Sequence, residues 1–194
     1  MAVTGLYGVG LYGGAFDPPH LGHVALAAGA KEAFALPQLI VLVSARPGHK
    51  QTQLPAETRL ELARAAFPDE DVRLDPYPRT IELLRAERFP DPLFVLGADE
   101  FCHFRSWTEP DGIIELAELA VGTRPGFPRD RLDTVLEALD SPERVHFFDI
   151  EPHPAASTDI RAGGSLEQVP PAVAALIRER GLYTSAKPGY TGGA

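Results

Sequence analysis

Continuous apolar runs alternate with amphipathic segments along most of the chain. The runs at 38–44 and 93–97 are typical of strands that are buried on both faces. The pattern predicts strands at 7–13, 38–44, 71–76, 93–97, 119–122 and 144–150, and helices at 21–35, 55–67, 79–89, 113–118, 129–139 and 169–183. Strand and helix alternate five or six times, which predicts an α/β fold: a single Rossmann-like, doubly wound parallel sheet with helices on both faces.

Helical spacing also predicts which side chains share a face. In the first helix the apolar face comprises Leu21, Val24, Ala25 and Ala28, and in the second it comprises Leu60, Ala63 and Phe67. Gly181 is the expected stop of the last helix. We predict one domain over 1–184, and we predict that the small, polar, Gly-rich segment 185–194 is a flexible tail.

Composition narrows the class of protein. A chain of 194 residues with 44% hydrophobic residues suits one globular domain. The net charge of −9 argues against nucleic acid or an acidic membrane as the main partner. No apolar stretch approaches the roughly 20 residues of a membrane span, and the N-terminus lacks the basic region of a signal peptide. Cys102 is the single cysteine, so we expect a cytoplasmic protein without an internal disulfide.

One glycine-rich motif matches the pattern of a cofactor-binding loop but lacks the structural context of such a loop. The stretch GVGLYG at 8–13 fits G-x-G-x-x-G, which in dinucleotide-binding proteins follows a strand and opens a helix. Here the glycines overlap the predicted strand, and Pro18 and Pro19 delay the helix. The motif therefore does not indicate a nicotinamide-dependent oxidoreductase.

The segment GGAFDPPHLGH at 13–23 concentrates residues that suit anion binding. Gly13 and Gly14 allow a sharp turn and a close approach to the backbone, and a helix begins near His20 or Leu21. His20 and His23 share one face of the first helical turn, where a polyphosphate would raise the pKa of both imidazoles. The alternatives are a proline-rich loop with two solvated histidines and a two-histidine metal site. The metal site lacks a nearby third ligand other than Asp17.

This segment resembles the G-G-x-F-D-P-x-H-x-G-H signature of the nucleotidyltransferase superfamily. The segments RLELARAAF, FVLGADEF, SW, TRPG and STDIR follow in the order seen in the bacterial nicotinate-mononucleotide adenylyltransferases, so the resemblance runs from about Val9 to Tyr183. The signature is specific for the superfamily, and the pattern GAD…W…RPG points to this member of it.

A second phosphate-binding segment is predicted at 156–161. Ser157 or Thr158 can cap a helix there, and Arg161, one turn further on, can bind a phosphate oxygen. An ordinary capped helix with a surface arginine is the alternative. ASTDIR resembles the family's I-S-S-T-x-I-R, with Ala155 and Ala156 in place of the leading Ile and Ser.

The resemblance implies three sets of functional residues. The predicted catalytic groups are His20, His23, Lys50 and Arg161. The predicted ATP-binding residues are Gly13, Gly14, Ala15, Phe16, His20, His23, Gly97, Asp99, Ser157, Thr158 and Arg161. The predicted acceptor-binding residues are Asp17, Arg79, Thr80, Trp107 and Arg124. In the family, Trp107 stacks on the pyridine ring and Arg124 holds the mononucleotide phosphate, although Trp107 also suits a place in the core.

The family joins ATP to a mononucleotide and releases pyrophosphate. The acceptor phosphate is already a nucleophile, so the expected catalysis is positioning and charge stabilisation at the α-phosphorus. Mg²⁺ is expected with ATP and without a direct protein ligand, Asp17 contacting it at most through a water.

Other functions stay open at this point. Val43, Gly48 and Arg79 depart from the family pattern around the acceptor. A sister enzyme for nicotinamide mononucleotide or phosphopantetheine is one alternative, and a nucleotide-binding sensor without turnover is another. The expected partners are ATP and a pyridine mononucleotide, without nucleic acid or membrane, and the sequence leaves the oligomeric state open, a homo-oligomer included.

Overall fold

The computed structural model describes residues 7–48 and 51–184. The strands in these ranges are β1 (Val9–Gly14), β2 (Leu39–Ser44), β3 (Asp71–Asp75), β4 (Pro92–Gly97), β5 (Glu118–Thr123) and β6 (Val145–Asp149). The α-helices are α1 (Leu21–Phe34), α2 (Ala56–Ala66), α3 (Thr80–Ala86), α4 (Ala98–Phe101), α5 (Pro110–Leu116), α6 (Arg129–Leu136), α7 (Ser157–Arg161) and α8 (Pro171–Arg180). Short 3₁₀ turns lie at Phe104–Ser106, Pro142–Arg144 and Leu166–Gln168.

The six strands form one parallel sheet in the order β3-β2-β1-β4-β5-β6. This order confirms the predicted Rossmann-like sheet. The chain order reverses between β1 and β4, so the loops that leave these strands diverge and open a crevice at their carboxyl ends. The loops after β1, β2 and β6 carry most of the predicted phosphate-binding residues to this edge.

Alternating side chains of the strands enter two separate cores, as the period of two requires. On β1, Tyr12 enters a core that α1, α2 and α8 cover, whereas Leu11 enters a core that α3, α5 and α6 cover. The helices therefore lie on both faces, as predicted. Each fully buried leucine or isoleucine in these cores contributes about 1.5–3 kcal/mol.

Two details of the predicted elements were wrong. The buried residues of α1 are Leu26, Ala27, Ala30 and Phe34, and Ala28 of the predicted face is exposed. Apolar and small residues lie on most sides of this helix, so their spacing alone could not identify the buried face. The helix predicted at 113–118 ends at Leu116, and Glu118 begins β5.

Glycines in two places have clear structural roles. Gly10 lies inside β1, where an added Cβ would come within 2.7 Å of the side chains of Leu36 and Leu39. Its role is close packing in the strand, in agreement with the rejection of the dinucleotide motif. Gly181 ends α8 in the left-handed conformation with φ of 60°, which confirms the predicted stop.

The described helices include none with both the length and the apolar character needed to cross a bilayer. The predicted tail at 185–194 lies outside the described residues, as do His49 and Lys50.

Candidate active site

The turn between β1 and α1 is held by an aromatic anchor. Phe16 is buried, with φ of 50°, and its ring packs edge-on against Tyr12, His23 and Phe67 at 5.2–5.7 Å between centroids. Gly14 is required here because a Cβ would lie 2.8 Å from that ring. The ring of Phe16 thus serves as the anchor of this turn, and contact of Phe16 with ATP stays a prediction.

His20 and His23 lie side by side where α1 begins. Their ring centroids are 3.7 Å apart, with an angle of 31° between the planes. The backbone N–H of His20 donates to Nδ1 of His23 over 3.0 Å. Because Nδ1 accepts, the neutral ring of His23 carries its proton on Nε2, which makes Nε2 a donor.

His20 is neutral at pH 7 in this structure. Burial lowers its pKa to about 4, and the nearby imidazole of His153 acts in the same direction. Among the described residues, Nδ1 of His20 has no hydrogen-bond partner although it is buried. A buried neutral imidazole that takes up a proton when phosphate binds can stabilise added negative charge.

His153 is a site residue that the sequence reasoning missed. It lies in the loop between β6 and α7, and its Cβ is 3.7 Å from where a Cβ of Gly22 would be. The available signal was its position four residues before Ser157, in the loop that leads to the second phosphate-binding segment.

The second phosphate-binding segment contacts the first directly. Ser157 Oγ donates to the carbonyl of Pro18 over 2.9 Å, and Arg161 Nη1 donates to the carbonyl of Asp17 over 2.7 Å. The predicted cap by Ser157 or Thr158 was wrong, because the N-cap of α7 is Ala156 and Ser157 uses its hydroxyl for the loop. Arg161 Nη2 also donates to Thr158 Oγ1 over 3.2 Å.

A cavity of about 280 Å³ lies beside these contacts. Its lining residues are Gln51, Thr52, Gln53, Thr158, Arg161 and Ala162. Hydroxyl, amide and guanidinium groups of this kind are suitable ligands for phosphate oxygens. Lys50, which precedes Gln51 and was predicted to be a catalytic group, lies outside the described residues.

Asp17 has a different environment from the predicted one. Its side chain is 2% exposed, with Oδ1 accepting from the hydroxyl of Tyr183 over 2.6 Å and Oδ2 accepting from the backbone N–H of Gln53 over 2.5 Å. Both oxygens are occupied inside the protein. This geometry favours a structural role over the predicted contact with the acceptor or with a magnesium-bound water.

Arg59 is buried next to Asp17 and was not predicted. Its guanidinium donates to the carbonyls of Ala15, Ser44 and Leu54 over 2.6–3.1 Å. Burial lowers the pKa of Arg59, whereas the charge of Asp17 raises it. Arg59 thus joins the ends of β1 and β2, and only its place within an amphipathic helix was visible in the sequence.

A second cavity, of about 420 Å³, lies at the carboxyl ends of β2 and β3. Its lining residues are Arg46, Pro47, Gly48, Thr52, Pro78 and Arg79. Thr52 lines both cavities, so the two spaces adjoin. Arg79, the N-cap of α3, lies directly before Thr80 and pairs with Glu82 over 3.1 Å. Arg46 was not predicted as a site residue.

The remaining predicted residues lie at the carboxyl ends of β4 and β5. Gly97 ends β4, and Asp99 in α4 lies 3.8 Å from the guanidinium of Arg124, which follows β5. Trp107 is half-buried, with ring centroids 6.1 Å from Phe94 and 5.3 Å from Phe104. Trp107 therefore packs on the core while part of its surface remains accessible.

The described residues contain no group of three or more His, Cys, Asp or Glu side chains that could hold a metal ion. Asp17, the one carboxylate of the segment at 13–23, is fully engaged by Tyr183 and Gln53. Among the described residues this donor set does not fit a resident metal.

Comparison with known proteins identifies the family of this chain. The Cytidylyltransferase-like family model matches residues 11–163. The chain is 35% identical to a probable nicotinate-nucleotide adenylyltransferase of Thermus thermophilus, over 90% of this chain and 98% of that protein. It is 31% identical to the corresponding probable enzyme of Rubrobacter xylanophilus, over 90% and 91%.

Among solved structures, the fold is similar to that of the Plasmodium falciparum nicotinic acid mononucleotide adenylyltransferase complexed with NaAD. The TM-score is 0.70 at 16% identity, covering 91% of this chain and 97% of that one. With the family model and the curated relatives, the chain belongs to the cytidylyltransferase-like family and, within it, to the nicotinate-nucleotide adenylyltransferases.

Proposed function

We propose that the protein transfers the adenylyl group of ATP to nicotinate mononucleotide, giving deamido-NAD and pyrophosphate. The observation that carries the proposal is the direct contact between the two phosphate-binding segments, Ser157 with Pro18 and Arg161 with Asp17. This contact aligns His20, His23 and Arg161 at the carboxyl edge of the sheet. The names of the relatives and of the NaAD complex support the choice of substrate.

The reaction needs no protein nucleophile. A phosphate oxygen of the acceptor attacks the α-phosphorus of ATP, and the bond from that phosphorus to the oxygen bridging to the β-phosphate breaks. The electron pair leaves with pyrophosphate. Magnesium enters as MgATP and shields the phosphate charge.

The chain's own groups then position and stabilise the phosphates. Nε2 of His23 serves as a donor, His20 takes up a proton as the phosphates bind, and Arg161 binds the phosphate chain from α7. The cavity lined by Thr158 and Arg161 is the proposed triphosphate side. Lys50 stays a predicted contributor to the same side.

The adjoining cavity is the proposed acceptor side. Arg46 and Arg79 both line it, and a guanidinium suits the ring carboxylate that distinguishes nicotinate from nicotinamide. Trp107 is proposed to stack on the pyridine ring, Arg124 to bind the mononucleotide phosphate, and the Gly97–Asp99 corner to contact adenosine. Stacking a cationic ring on tryptophan contributes about 0.5–2 kcal/mol. As part of this proposal the protein acts in the cytoplasm.

Pyrophosphate release tests the proposal. The purified protein is assayed with MgATP and, in turn, nicotinate mononucleotide, nicotinamide mononucleotide and phosphopantetheine. The expected result is turnover with the first and a much lower kcat/KM with the second. Turnover with phosphopantetheine alone would replace the acceptor but retain adenylyl transfer, and ATP binding without turnover would favour the sensor.

A further inference from the structure

Four segments that are far apart in the chain meet at Asp17. The carboxyl of Asp17 accepts hydrogen bonds from the hydroxyl of Tyr183 and from the backbone N–H of Gln53. The main-chain carbonyl of Asp17 accepts one from Arg161. These partners come from the segment after α8, the loop between β2 and α2, and α7. Asp17 itself follows β1 directly, so its position sets the geometry of both phosphate-binding segments.

Tyr183 is held in an unusual backbone conformation. Its φ is 59°, in the left-handed region that bulky residues rarely adopt, and its ring packs against the core that α1, α2 and α8 cover. The hydroxyl reaches Asp17 Oδ1 from there. Burial raises the pKa of Tyr183, and its hydrogen bond to Asp17 acts in the same direction, so the hydroxyl remains a donor near neutral pH.

We propose that Tyr183 is a positioning residue for adenylyl transfer: by holding the carboxyl of Asp17 it fixes Gln53 directly, and by fixing Asp17 it steadies the main-chain carbonyl that binds Arg161. This inference rests on the proposed function, and it assigns a part of the site to the segment that follows the last helix. Without the hydroxyl, Oδ1 of Asp17 would be buried without this donor, and the carboxyl would reorient. Gln53, whose backbone N–H binds that carboxyl, would then shift, and Arg161 would shift with the Asp17 backbone; both residues line the cavity of about 280 Å³.

The effect is expected on kcat more than on the affinity for ATP. Binding of the triphosphate is spread over many contacts, each of which tolerates a small shift. Attack on the α-phosphorus requires aligned reacting atoms, and small displacements of the positioning groups slow it steeply.

The test compares two tyrosine-to-phenylalanine variants. Tyr183→Phe removes the hydrogen bond to Asp17. Tyr7→Phe is the matched control, since Tyr7 donates to Glu118 over 2.7 Å at the opposite, amino end of the sheet. Both variants should lower Tm by a similar few degrees, roughly 2–4 °C. Tyr183→Phe should in addition lower kcat about 10-fold with less than about a threefold change in the KM for ATP, whereas Tyr7→Phe should keep the wild-type kcat.

A wild-type kcat in Tyr183→Phe, or an equal loss of kcat in both variants, would overturn the inference. If wild-type protein releases no pyrophosphate with any acceptor, the proposed function fails instead, so the two failures are distinguishable. Asp17→Asn adds a second arm: the double variant Asp17→Asn with Tyr183→Phe should be no slower than Asp17→Asn alone. Multiplied losses would show that Tyr183 acts independently of Asp17, against the inference.

Discussion

The two ends of the sheet contain the same kinds of side chain in different settings. At the carboxyl end, Asp17 accepts a hydrogen bond from Tyr183 over 2.6 Å. Arg59 lies near enough to feel the charge of Asp17, and His20 lies in the same turn. At the amino end, Glu118 accepts from Tyr7 over 2.7 Å, contacts His146 Nε2 over 2.6 Å and lies 3.6 Å from Arg144. Each end thus has a tyrosine bonded to a carboxylate, with an arginine and a histidine nearby.

The difference between the ends lies in burial and in what the partners join. Asp17 and Arg59 are 2% and 1% exposed, whereas the side chains of Glu118 and Arg144 are 28% and 36% exposed. Burial by itself raises the pKa of Glu118, but the hydrogen bonds from Tyr7 and His146 outweigh it and leave the pKa lowered. The amino-end cluster stabilises strand starts, while the carboxyl-end cluster fixes the loops that are predicted to bind phosphate. The same chemistry gains a catalytic use where diverging loops leave room for a ligand.

Replacing Arg59 and Arg144 should show the largest difference between the two ends of the sheet. Arg59→Leu leaves three buried carbonyls without their donor and removes the positive charge near Asp17, so the free energy of unfolding should fall by about 3–5 kcal/mol. Arg144→Leu, at the partly exposed amino-end cluster, should lower it by about 1 kcal/mol or less. Urea unfolding measures both, and equal losses would contradict the contrast.

Histidine substitutions should change turnover at the carboxyl end of the sheet and leave it unchanged at the amino end. His20→Ala or His23→Ala should lower kcat on the order of 10²–10³-fold, and ATP affinity by less, because these groups act most as charge builds at the α-phosphorus. His146→Ala is the matched amino-end variant and should keep the wild-type kcat. Steady-state pyrophosphate release gives kcat, and ATP titration gives affinity. Full turnover in either of the first two variants would remove the catalytic role.

The low pKa of His20 predicts a pH dependence of stability. The unfolded chain, with a histidine pKa near 6.5, binds a proton that folded His20, with a pKa of about 4, does not. The free energy of unfolding should therefore fall as the pH drops from about 6.5 to about 4, by about 3 kcal/mol in total. His20→Gln should lack this part of the slope, and His146→Gln should retain it. Urea unfolding between these pH values measures it, and parallel curves for wild type and His20→Gln would disprove the assignment.

Within the carboxyl end, Arg79 should distinguish the acid acceptor from the amide. Arg79→Ala should lower kcat/KM for nicotinate mononucleotide about 10–100-fold, because a charge-assisted hydrogen bond is lost, and should change nicotinamide mononucleotide much less. Arg85→Ala is the control on the same helix, since Arg85 pairs with Glu109 over 2.6 Å. Equal losses for both acceptors would exclude recognition of the carboxylate by Arg79.

The smallest effect is expected for Tyr7→Phe. Glu118 keeps His146 and Arg144 as partners, so the free energy of unfolding should fall by only about 1 kcal/mol. Turnover should be unchanged. A loss of turnover here would show that the two ends of the sheet are coupled, in contrast to the separation described above.

The sequence by itself determined the architecture and the location of the site. The apolar runs predicted all six strands to within a few residues, because a strand buried on both faces leaves a distinct local pattern. The glycine-proline-histidine segment predicted the turn between β1 and α1, since a strand, a glycine turn and a helix start are all local features, and phosphate binding there stays a prediction. The buried face of α1 was predicted wrongly, because its many small residues give little difference in hydrophobicity between the sides of the helix.

Only the tertiary structure decided how the site is held together. Asp17 and Tyr183 are 166 positions apart, and neither residue type indicates that the two side chains form a hydrogen bond with each other. Arg59, His153 and Arg46 likewise acquire their roles from neighbours on other segments. Hydrogen bonds and desolvation depend on distances of a few ångströms in space, which the order of strands in the sheet sets and the local sequence does not encode.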